Sequence, residues 1–175
     1  MELFGSISVE TPKYKILRTA TDYEIRKYPK EILAKAKSSG MASSQGFQTI
    51  AEYIFGKTQD QEKQKPIAMT APVINTDKEM YFVMPSKFKS ISELPKPNEE
   101  VELVEQDEQV MAVKKFSGIA YDNVIKQYQN ELESKLIRDS IAFDPQPVLF
   151  RYNPPWTLPF LRTNEIAFKL IDFKE

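Results

Sequence analysis

The sequence predicts an α+β fold in which one curved, mostly antiparallel sheet carries two flanking helices and is built from two pseudo-twofold-related halves. Three observations support this class: a weak repeat aligns residues 23–40 with residues 101–118, a helical pattern follows each block, and two strand-like runs follow each helical pattern. With 175 residues and 41% apolar content, the chain suits one substantial core. We therefore expect a single domain over residues 1–175, with halves at about 13–84 and 101–175.

The repeat predicts two short strands ahead of each helix. The segments YEIRKYPKEILAKAKSSG and VELVEQDEQVMAVKKFSG align without a gap, and both end on a Ser-Gly pair. A polar turn divides each block, at Pro29-Lys30 in the first and at Asp107-Glu108 in the second. Each block is therefore expected to form a strand, a turn and a second strand.

A first helix is predicted after the first block. Four apolar residues fall at helical spacing: Phe47, Ile50, Ala51 and Ile54. Ser43 or Ser44 is placed to cap the start of this helix, and Gly56 is placed to end it. Because a helix on a sheet must bury one face, we interpret the stripe first as core and only second as a ligand contact. Two strand-like runs follow, Pro66 to Ile74 and Met80 to Met84.

The second half repeats this order. Its helical stripe consists of six apolar or aromatic residues: Tyr121, Val124, Ile125, Tyr128, Leu132 and Leu136. Strand-like runs follow at Val148 to Tyr152 and at Glu165 to Ile171. The two halves are joined by Pro85 to Glu100, which is polar and has no sustained periodicity, so we expect a linker within one fold.

The composition excludes several functional classes. The 24 basic and 25 acidic residues nearly cancel, so a strongly basic nucleic-acid surface is not expected. No apolar run is long enough to span a membrane, and the N-terminal residues lack the pattern of a secretory or transit signal. These observations favour a soluble, cytoplasmic protein, and nothing in the sequence requires more than a monomer.

The residue inventory also argues against catalysis. The chain has no histidine and no cysteine, which excludes histidine-based general bases, thiol nucleophiles, disulfides and the commonest metal ligands. Its five glycines do not form a phosphate-binding loop. We therefore expect no catalytic residues, no metal site and no enzymatic activity.

The segment YNPPWTLPFLRTNEI, residues 152–166, is the strongest candidate for a binding site. Its three prolines oppose regular strand pairing, so some of the apolar side chains of Trp156, Leu158, Phe160 and Leu161 should lie exposed or half-buried around a concavity. Arg162 is placed either to hold a carboxylate at the rim or to pair with Glu165. Outside this segment, Met69 is open to three interpretations, in the order core, pocket wall and thioether ligand to iron.

Several strings in the chain resemble the SOUL/HEBP family of haem-binding proteins. They are FGSISVETPKY, YEIRKYP, GFQTIAEYIFGK, KPIAMTAPV, KFSGIA and RYNPPWTLPFLRTNEI, and together they cover nearly the whole chain, most closely resembling the soluble plant-type members. The resemblance implies a single domain with a distorted, barrel-like antiparallel sheet, two flanking helices and an internal duplication. It also implies tetrapyrrole binding between the first helix and the C-terminal loop.

Carried onto this sequence, the resemblance implies a pocket between the helix Phe47 to Phe55 and the loop Trp156 to Arg162. Together with Met69, the predicted tetrapyrrole-binding residues are Phe47, Ile50, Ala51, Ile54, Phe55, Met69, Trp156, Leu158, Phe160 and Arg162. Where relatives are described as using basic residues near the propionates, this chain has Glu52 and Leu158, so Lys57 or Arg162 would have to substitute. Without histidine, we expect haem or another tetrapyrrole to be held reversibly and mainly by apolar contact.

The resulting hypothesis is a non-catalytic tetrapyrrole carrier, buffer or sensor. Two alternatives remain open at this point. The chain is also compatible with a binding module for other flat amphipathic ligands, because similarly duplicated folds resemble bacterial effector-binding domains. It is further compatible with a protein-interaction adaptor that presents the second helix, Tyr121 to Arg138, to a partner.

Overall fold

The computed structural model describes residues 9–58 and 65–174, which form one antiparallel sheet of nine strands with two α-helices. The strands are β1 (Lys15–Thr19), β2 (Glu24–Tyr28), β3 (Glu31–Lys37), β4 (Val73–Asn75), β5 (Glu79–Val83), β6 (Glu102–Gln106), β7 (Gln109–Phe116), β8 (Val148–Arg151) and β9 (Asn164–Lys169). The helices are α1 (Phe47–Ile54) and α2 (Asp122–Arg138). The predicted α+β class and the curled, half-barrel sheet with two helices are confirmed.

The strand order explains why a duplicated chain forms one sheet. Along the sheet the order is β1-β2-β7-β9-β8-β4-β5-β3-β6, and every neighbouring pair is antiparallel. The two strands of each repeat block do not pair with each other. Instead β2 pairs with β7 of the second half, and β6 pairs with β3 of the first. Over the eight strands from β2 to β6 in this order, each strand of the first half and its counterpart in the second half lie equally far from the centre. The pseudo-twofold axis itself stays a prediction.

Both helices lie on the same face of the sheet. The α2 residues Ile125, Leu132 and Leu136 are buried in one core cluster with β7, β8 and β9. Helix α1 buries its apolar face in a second cluster with β3 and β5. A third, smaller cluster lies on the opposite face. Since the α2 stripe is used for packing, only the outer surface of α2 is left for a partner.

Helix α1 begins at a glycine and not at a serine cap. Gly46 is the N-cap residue with φ +89°, and no side chain caps the helix, so the predicted cap at Ser43 or Ser44 is wrong. Ser43 accepts the backbone N–H of Gln45 instead. A Cβ at Gly46 would lie 2.6 Å from the carbonyl oxygen of Lys37, which explains why the close approach of α1 to β3 needs glycine here.

The end of α1 agrees with the prediction. Gly56 adopts φ +106°, its N–H donates to the carbonyl of Tyr53, and the N–H of Lys57 donates to the carbonyl of Glu52. These are the two hydrogen bonds of a Schellman motif, with glycine at the left-handed position.

The structure corrects two predictions and adds one strand. Of the predicted strand from Pro66 to Ile74, only Val73 and Ile74 belong to β4, because Pro66 and Pro72 have no backbone donor for strand pairing. Tyr121 is 58% exposed, so it is not part of the buried stripe of α2. The edge strand β1 lacks the alternation of apolar and polar residues that predicts a strand, because four of its five residues are exposed.

Candidate functional site

The C-terminal loop between β8 and β9 is folded on itself by backbone hydrogen bonds. The N–H of Thr157 donates to the carbonyl of Pro154 at 3.1 Å, and Pro159–Leu161 form a 3₁₀ turn. At the base of the loop, Asn153 accepts the N–H of Thr163 at 2.6 Å. The prolines therefore shape a compact loop whose ends are held by the two strands.

Arg162 holds this loop together. Its Nε donates to the carbonyl of Thr157 at 2.8 Å, and its Nη2 donates to the carbonyl of Pro155. Of the two roles considered from the sequence, the ion pair with Glu165 is absent, because Glu165 pairs with Arg26 on the other face of the sheet. A rim contact with a ligand carboxylate stays a prediction.

The loop presents large apolar side chains to solvent. Trp156 is 70% exposed and Phe160 is 71% exposed, while Leu158 is 43% exposed. Between them Thr157 is almost fully buried and anchors the loop. Exposed aromatic side chains this close together on an ordered loop are typical of a binding surface.

The structure divides the first-helix candidates into two groups. Ile50, Ala51 and Ile54 are buried in the core beneath α1, as the first interpretation of the stripe predicted, and Met69 is half-buried against the same cluster. Phe55, by contrast, is 68% exposed at the end of the helix. Of the five candidates in and beside the first helix, the two phenylalanines, Phe47 and Phe55, are therefore the ones exposed to solvent.

Phe47 is connected to the C-terminal loop through the sheet. Its ring packs on that of Phe82, with 5.3 Å between the ring centroids. Phe82 lies opposite Val73 on the neighbouring strand, and Val73 lies opposite Arg151. Adjacent strands are about 4.8 Å apart, so the Cα atoms of Phe82 and Arg151 are separated by about 10 Å. A short cross-strand row thus joins the start of α1 to the end of β8.

The same row continues under the loop. Arg151 lies opposite Asn164, whose Nδ2 donates to the carbonyl of Gly118 at 2.9 Å. The N–H of Gly118 in turn donates to the carbonyl of Pro159 at 3.0 Å. The helix and the loop are therefore attached to one rigid row of the sheet.

Arg151 is the functional candidate that sequence reasoning missed. Its Nη2 donates to the carbonyl of Met41, its Nε is buried without an acceptor, and no ion pair joins it to a carboxylate of the described residues. Burial lowers the pKa of Arg151, the positive charge of Arg162 lowers it further, and Asp122 partly offsets both effects. A guanidinium has five donors, so this one retains donors for an anion.

Two further buried polar atoms near this row have no hydrogen-bond partner among the described residues. They are Oδ1 of Asn75, which belongs to a fully buried residue, and Oγ1 of Thr157 in the loop. Nδ2 of Asn75 donates to the carbonyl of Ser43 at 3.4 Å. Unsatisfied buried polar atoms are uncommon in folded proteins, and their concentration around β4, β8 and the loop is typical of a site that receives a polar ligand group or water.

The buried charges on the opposite face are fully paired. Arg26 contacts Glu165 at 2.9 Å and Glu24 at 2.7 Å, and Tyr152 donates to Glu165 at 2.8 Å. Burial, and next the charge of Glu165, raises the pKa of Tyr152, so its phenol stays protonated. This network has the character of a structural element and not of an acid-base site.

A well-formed cleft in the structure does not coincide with the predicted pocket. A cleft of ≈ 450 Å³ lies at the N-terminal end of β3, and none of the ten residues predicted for the pocket lines it. Glu31 on β3 and Phe88 in the linker are among its walls. Its charged lining distinguishes this cleft from the aromatic loop.

The parts of the chain that the structure describes show neither a metal cluster nor a membrane-spanning helix. No group of three or more aspartate or glutamate side chains is arranged to hold a metal ion among residues 9–58 and 65–174. Within the same ranges, each helix is too short or too polar to cross a bilayer.

Comparison with known proteins identifies a family and a fold. The family model described as SOUL heme-binding protein matches residues 9–169. Among curated proteins, none matches the chain. The C-terminal domain of EcmrR has a similar structure at a TM-score of 0.60 and 11% identity, over 91% of this chain and 99% of that domain. A protein from Listeria innocua described as a hydrolase gives a TM-score of 0.56 at 11% identity, over 89% of this chain and 94% of its own. At this identity the two structures show a shared fold and nothing about activity.

Proposed function

The chain belongs to the SOUL haem-binding protein family, and from this membership we propose that it binds haem or a related tetrapyrrole reversibly and without catalysis. The proposed site lies between the start of α1 and the C-terminal loop, with Phe47, Trp156, Leu158 and Phe160 as its apolar walls. In this role the protein would act as a monomeric, cytoplasmic carrier, buffer or sensor of its ligand.

The observation that carries this proposal is the combination of an exposed aromatic loop with an uncompensated cation beneath it. A tetrapyrrole of this class has a flat apolar ring and acidic side groups. Trp156 and Phe160 offer exposed rings to the flat apolar ring of the ligand. The unused donors of Arg151 offer a partner to its acidic side groups. Arg151 thereby supplies the basic group that Glu52 and Leu158 do not.

The expected affinity is modest. Burying about 300 Å² of apolar surface at about 25 cal/mol per Å² contributes about 7 kcal/mol. The free energy from apolar burial alone does not greatly exceed the cost of association, which is at least about 4 kcal/mol. Micromolar, reversible binding is therefore expected, with the arginine contact making a substantial part of the net free energy.

Fluorescence of the single tryptophan tests ligand binding directly. Hemin and metal-free protoporphyrin IX, titrated separately, are both expected to quench Trp156 with similar midpoints, because the chain has no histidine or cysteine to ligate iron. A Met69→Leu variant is expected to bind hemin as the parent does. Unchanged Trp156 emission up to tens of micromolar ligand would refute the proposal, and a strong preference for hemin that M69L removes would refute binding without axial ligation.

The role of Arg151 is tested by removing the charge of the ligand carboxylates or the charge of the arginine. Protoporphyrin IX is expected to bind the parent protein at least tenfold more tightly than its dimethyl ester, because charged hydrogen bonds contribute about 1.5 to 3 kcal/mol. Arg151→Gln is expected to remove this preference while leaving ester binding unchanged. Arg138→Gln, on the exposed end of α2, serves as the matched control and should retain the preference. If the acid and the ester bind the parent equally well, Arg151 has no part in binding.

A further inference from the structure

The cleft at the N-terminal end of β3 has the size of a ligand site. Its volume of ≈ 450 Å³ falls in the range of about 300 to 1,000 Å³ that is usual for small-molecule pockets. Four groups of residues enclose it: Glu10 to Lys13; Pro29 to Ile32; Thr70; and Val83, Met84, Ser86, Phe88 and Lys89. Four separate parts of the chain therefore meet around one concavity.

The walls of this cleft are held in place by hydrogen bonds. The N–H of Ala71 donates to the carbonyl of Glu10 at 2.9 Å, which ties the N-terminal segment to the residues before β4. Oε1 of Glu10 accepts the N–H of Ser86 at 2.9 Å, and Oγ1 of Thr70 donates to the carbonyl of Val83 at 2.5 Å. The cleft is thus preformed by hydrogen bonds between these segments and does not depend on a loop closing.

Glu31 is the chemically unusual residue of the cleft. It alternates along β3 with Ile32, Ala34 and Ala36, which are buried in the α1 cluster, so its side chain lies on the face away from α1. No described residue donates a hydrogen bond to its carboxyl group or forms an ion pair with it. Burial raises the pKa of Glu31 to about 7. A half-buried carboxyl group without a partner is unfavourable for the fold, and a ligand donor would remove that cost.

The other charged groups around the cleft are already engaged. Lys30 pairs with Glu105 at 2.5 Å, and Nζ of Lys89 donates to the carbonyl of Ser86 at 2.6 Å. Lys13 is exposed at the rim, where its charge acts on Glu10. None of the three lysines contributes to the pKa shift of Glu31. The unpaired charge inside the cleft is therefore negative, although its rim is basic.

We propose that this cleft is a second ligand site, separate from the C-terminal loop, which takes a flat apolar organic cation with Glu31 as its counter-ion. The apolar lining residues Pro12, Pro29 and Val83 would contact the ring system, and the Glu31 carboxylate would accept the cationic N–H. Val83 lies opposite Leu33, on the face of β3 that carries Glu31. This inference does not depend on tetrapyrrole binding, since it shares no residue with the loop site.

The test uses 9-aminoacridine, a fluorescent flat cation at neutral pH, and acridine-9-carboxylate as its anionic counterpart. At pH 8 the parent protein is expected to bind 9-aminoacridine at least tenfold more tightly than the carboxylate, by fluorescence anisotropy. Glu31→Gln is expected to lose at least tenfold in affinity for 9-aminoacridine, whereas Glu99→Gln, an exposed glutamate outside the cleft, should match the parent.

Two further measurements complete this test. Because Glu31 is deprotonated above about pH 7, 9-aminoacridine affinity should rise from pH 6 to pH 8 in the parent and stay flat in E31Q. Protoporphyrin IX should not displace bound 9-aminoacridine. Failure of 9-aminoacridine to bind the parent, equal binding by the parent and E31Q, or displacement by the porphyrin would each overturn a second cationic site, and none of them bears on quenching of Trp156 by porphyrin alone.

Discussion

Two buried or partly buried arginines, one on each face of the sheet, have opposite electrostatic surroundings. Arg26 has a carboxylate on each side and lies 4.2 Å from the centroid of the Tyr14 ring. Burial alone would lower the pKa of Arg26, but Glu165 and its other partners raise it. Among residues 9–58 and 65–174, Arg151 has neither a carboxylate in an ion pair nor an aromatic ring beside it, and it retains unused donors. The fold alone accounts for the buried charge of Arg26, whereas the unused donors of Arg151 are accounted for only with an anionic partner.

This contrast predicts a stability effect at Arg26. Arg26→Met would leave the carboxylate of Glu165 buried and unpaired, and we expect it to lower the free energy of unfolding by roughly 3 to 5 kcal/mol. Adding Glu165→Gln should recover a large part of this loss, because the orphaned charge is removed while the Tyr152 hydroxyl keeps an acceptor. Urea denaturation of both variants measures the difference.

The exposed pair of Arg138 and Asp139 supplies the control for that experiment. The Arg138 side chain is 67% exposed, so Arg138→Met should leave the urea midpoint unchanged within error. An equal loss in Arg26→Met and in the double variant would show that packing, and not the buried charge, accounts for the effect.

The candidate site could be predicted only in part from residue types. The aromatic loop was visible in the sequence, because three prolines around Trp156 oppose pairing and leave apolar side chains exposed. Arg151 was not visible, since an arginine at the end of the run VLFR has the pattern of an ordinary solvated strand end. Its isolation depends on the carbonyl of Met41 and on the course of the chain around it, which no local pattern encodes.

At the scale of elements, the packing of α1 against β3 depends on a left-handed residue. Gly46 and Gly40 both have positive φ angles, +89° and +98°, but only at Gly46 would a Cβ meet backbone, 2.6 Å from the carbonyl oxygen of Lys37. A substitution at Gly40 therefore introduces backbone strain alone, whereas a substitution at Gly46 introduces both strain and a steric contact.

This difference predicts unequal effects of the same substitution. Gly40→Ala should lower the free energy of unfolding by about 1 to 2 kcal/mol through strain alone. Gly46→Ala adds overpacking of about 1 to 3 kcal/mol and should cost about 2 to 5 kcal/mol in total. Thermal denaturation of the pair gives the comparison, and equal losses would mean that α1 moves away from β3 at little cost.

Element types were predictable where side-chain periodicity is strong, and pairing was not. The order of strands and helices in both halves follows from the repeat and from the helical stripes. The exchange of β2 and β6 between halves was hidden, because a strand's alternation shows which face is buried but not which neighbour it pairs with. Edge strand β1 was hidden for a related reason, since its residues are mostly exposed and show no alternation.

At the scale of the whole molecule, the exchanged strands make the two halves dependent on each other. Three of the eight strand pairings join the halves: β2 with β7, β3 with β6, and β4 with β8. Without the second half, the hairpin of β1 and β2 is disconnected from the sheet of β3, β4 and β5. Without the first half, β6 has no partner, and β7 and β8 become open edges.

We therefore expect that neither residues 1–84 nor residues 85–175 fold alone, although each contains a helix and several strands. A half of this size has a small core, and open strand edges favour aggregation over a monomeric fold. The full chain should unfold in one cooperative transition, while each half alone should show no thermal transition by circular dichroism and poorly dispersed amide signals by NMR. Coexpression of the two halves should restore the spectrum of the full chain, because every missing pairing is then available. A cooperative transition in either half alone would contradict this view, and would mean that the pairings within a half suffice and that the exchanged strands only join two independent units.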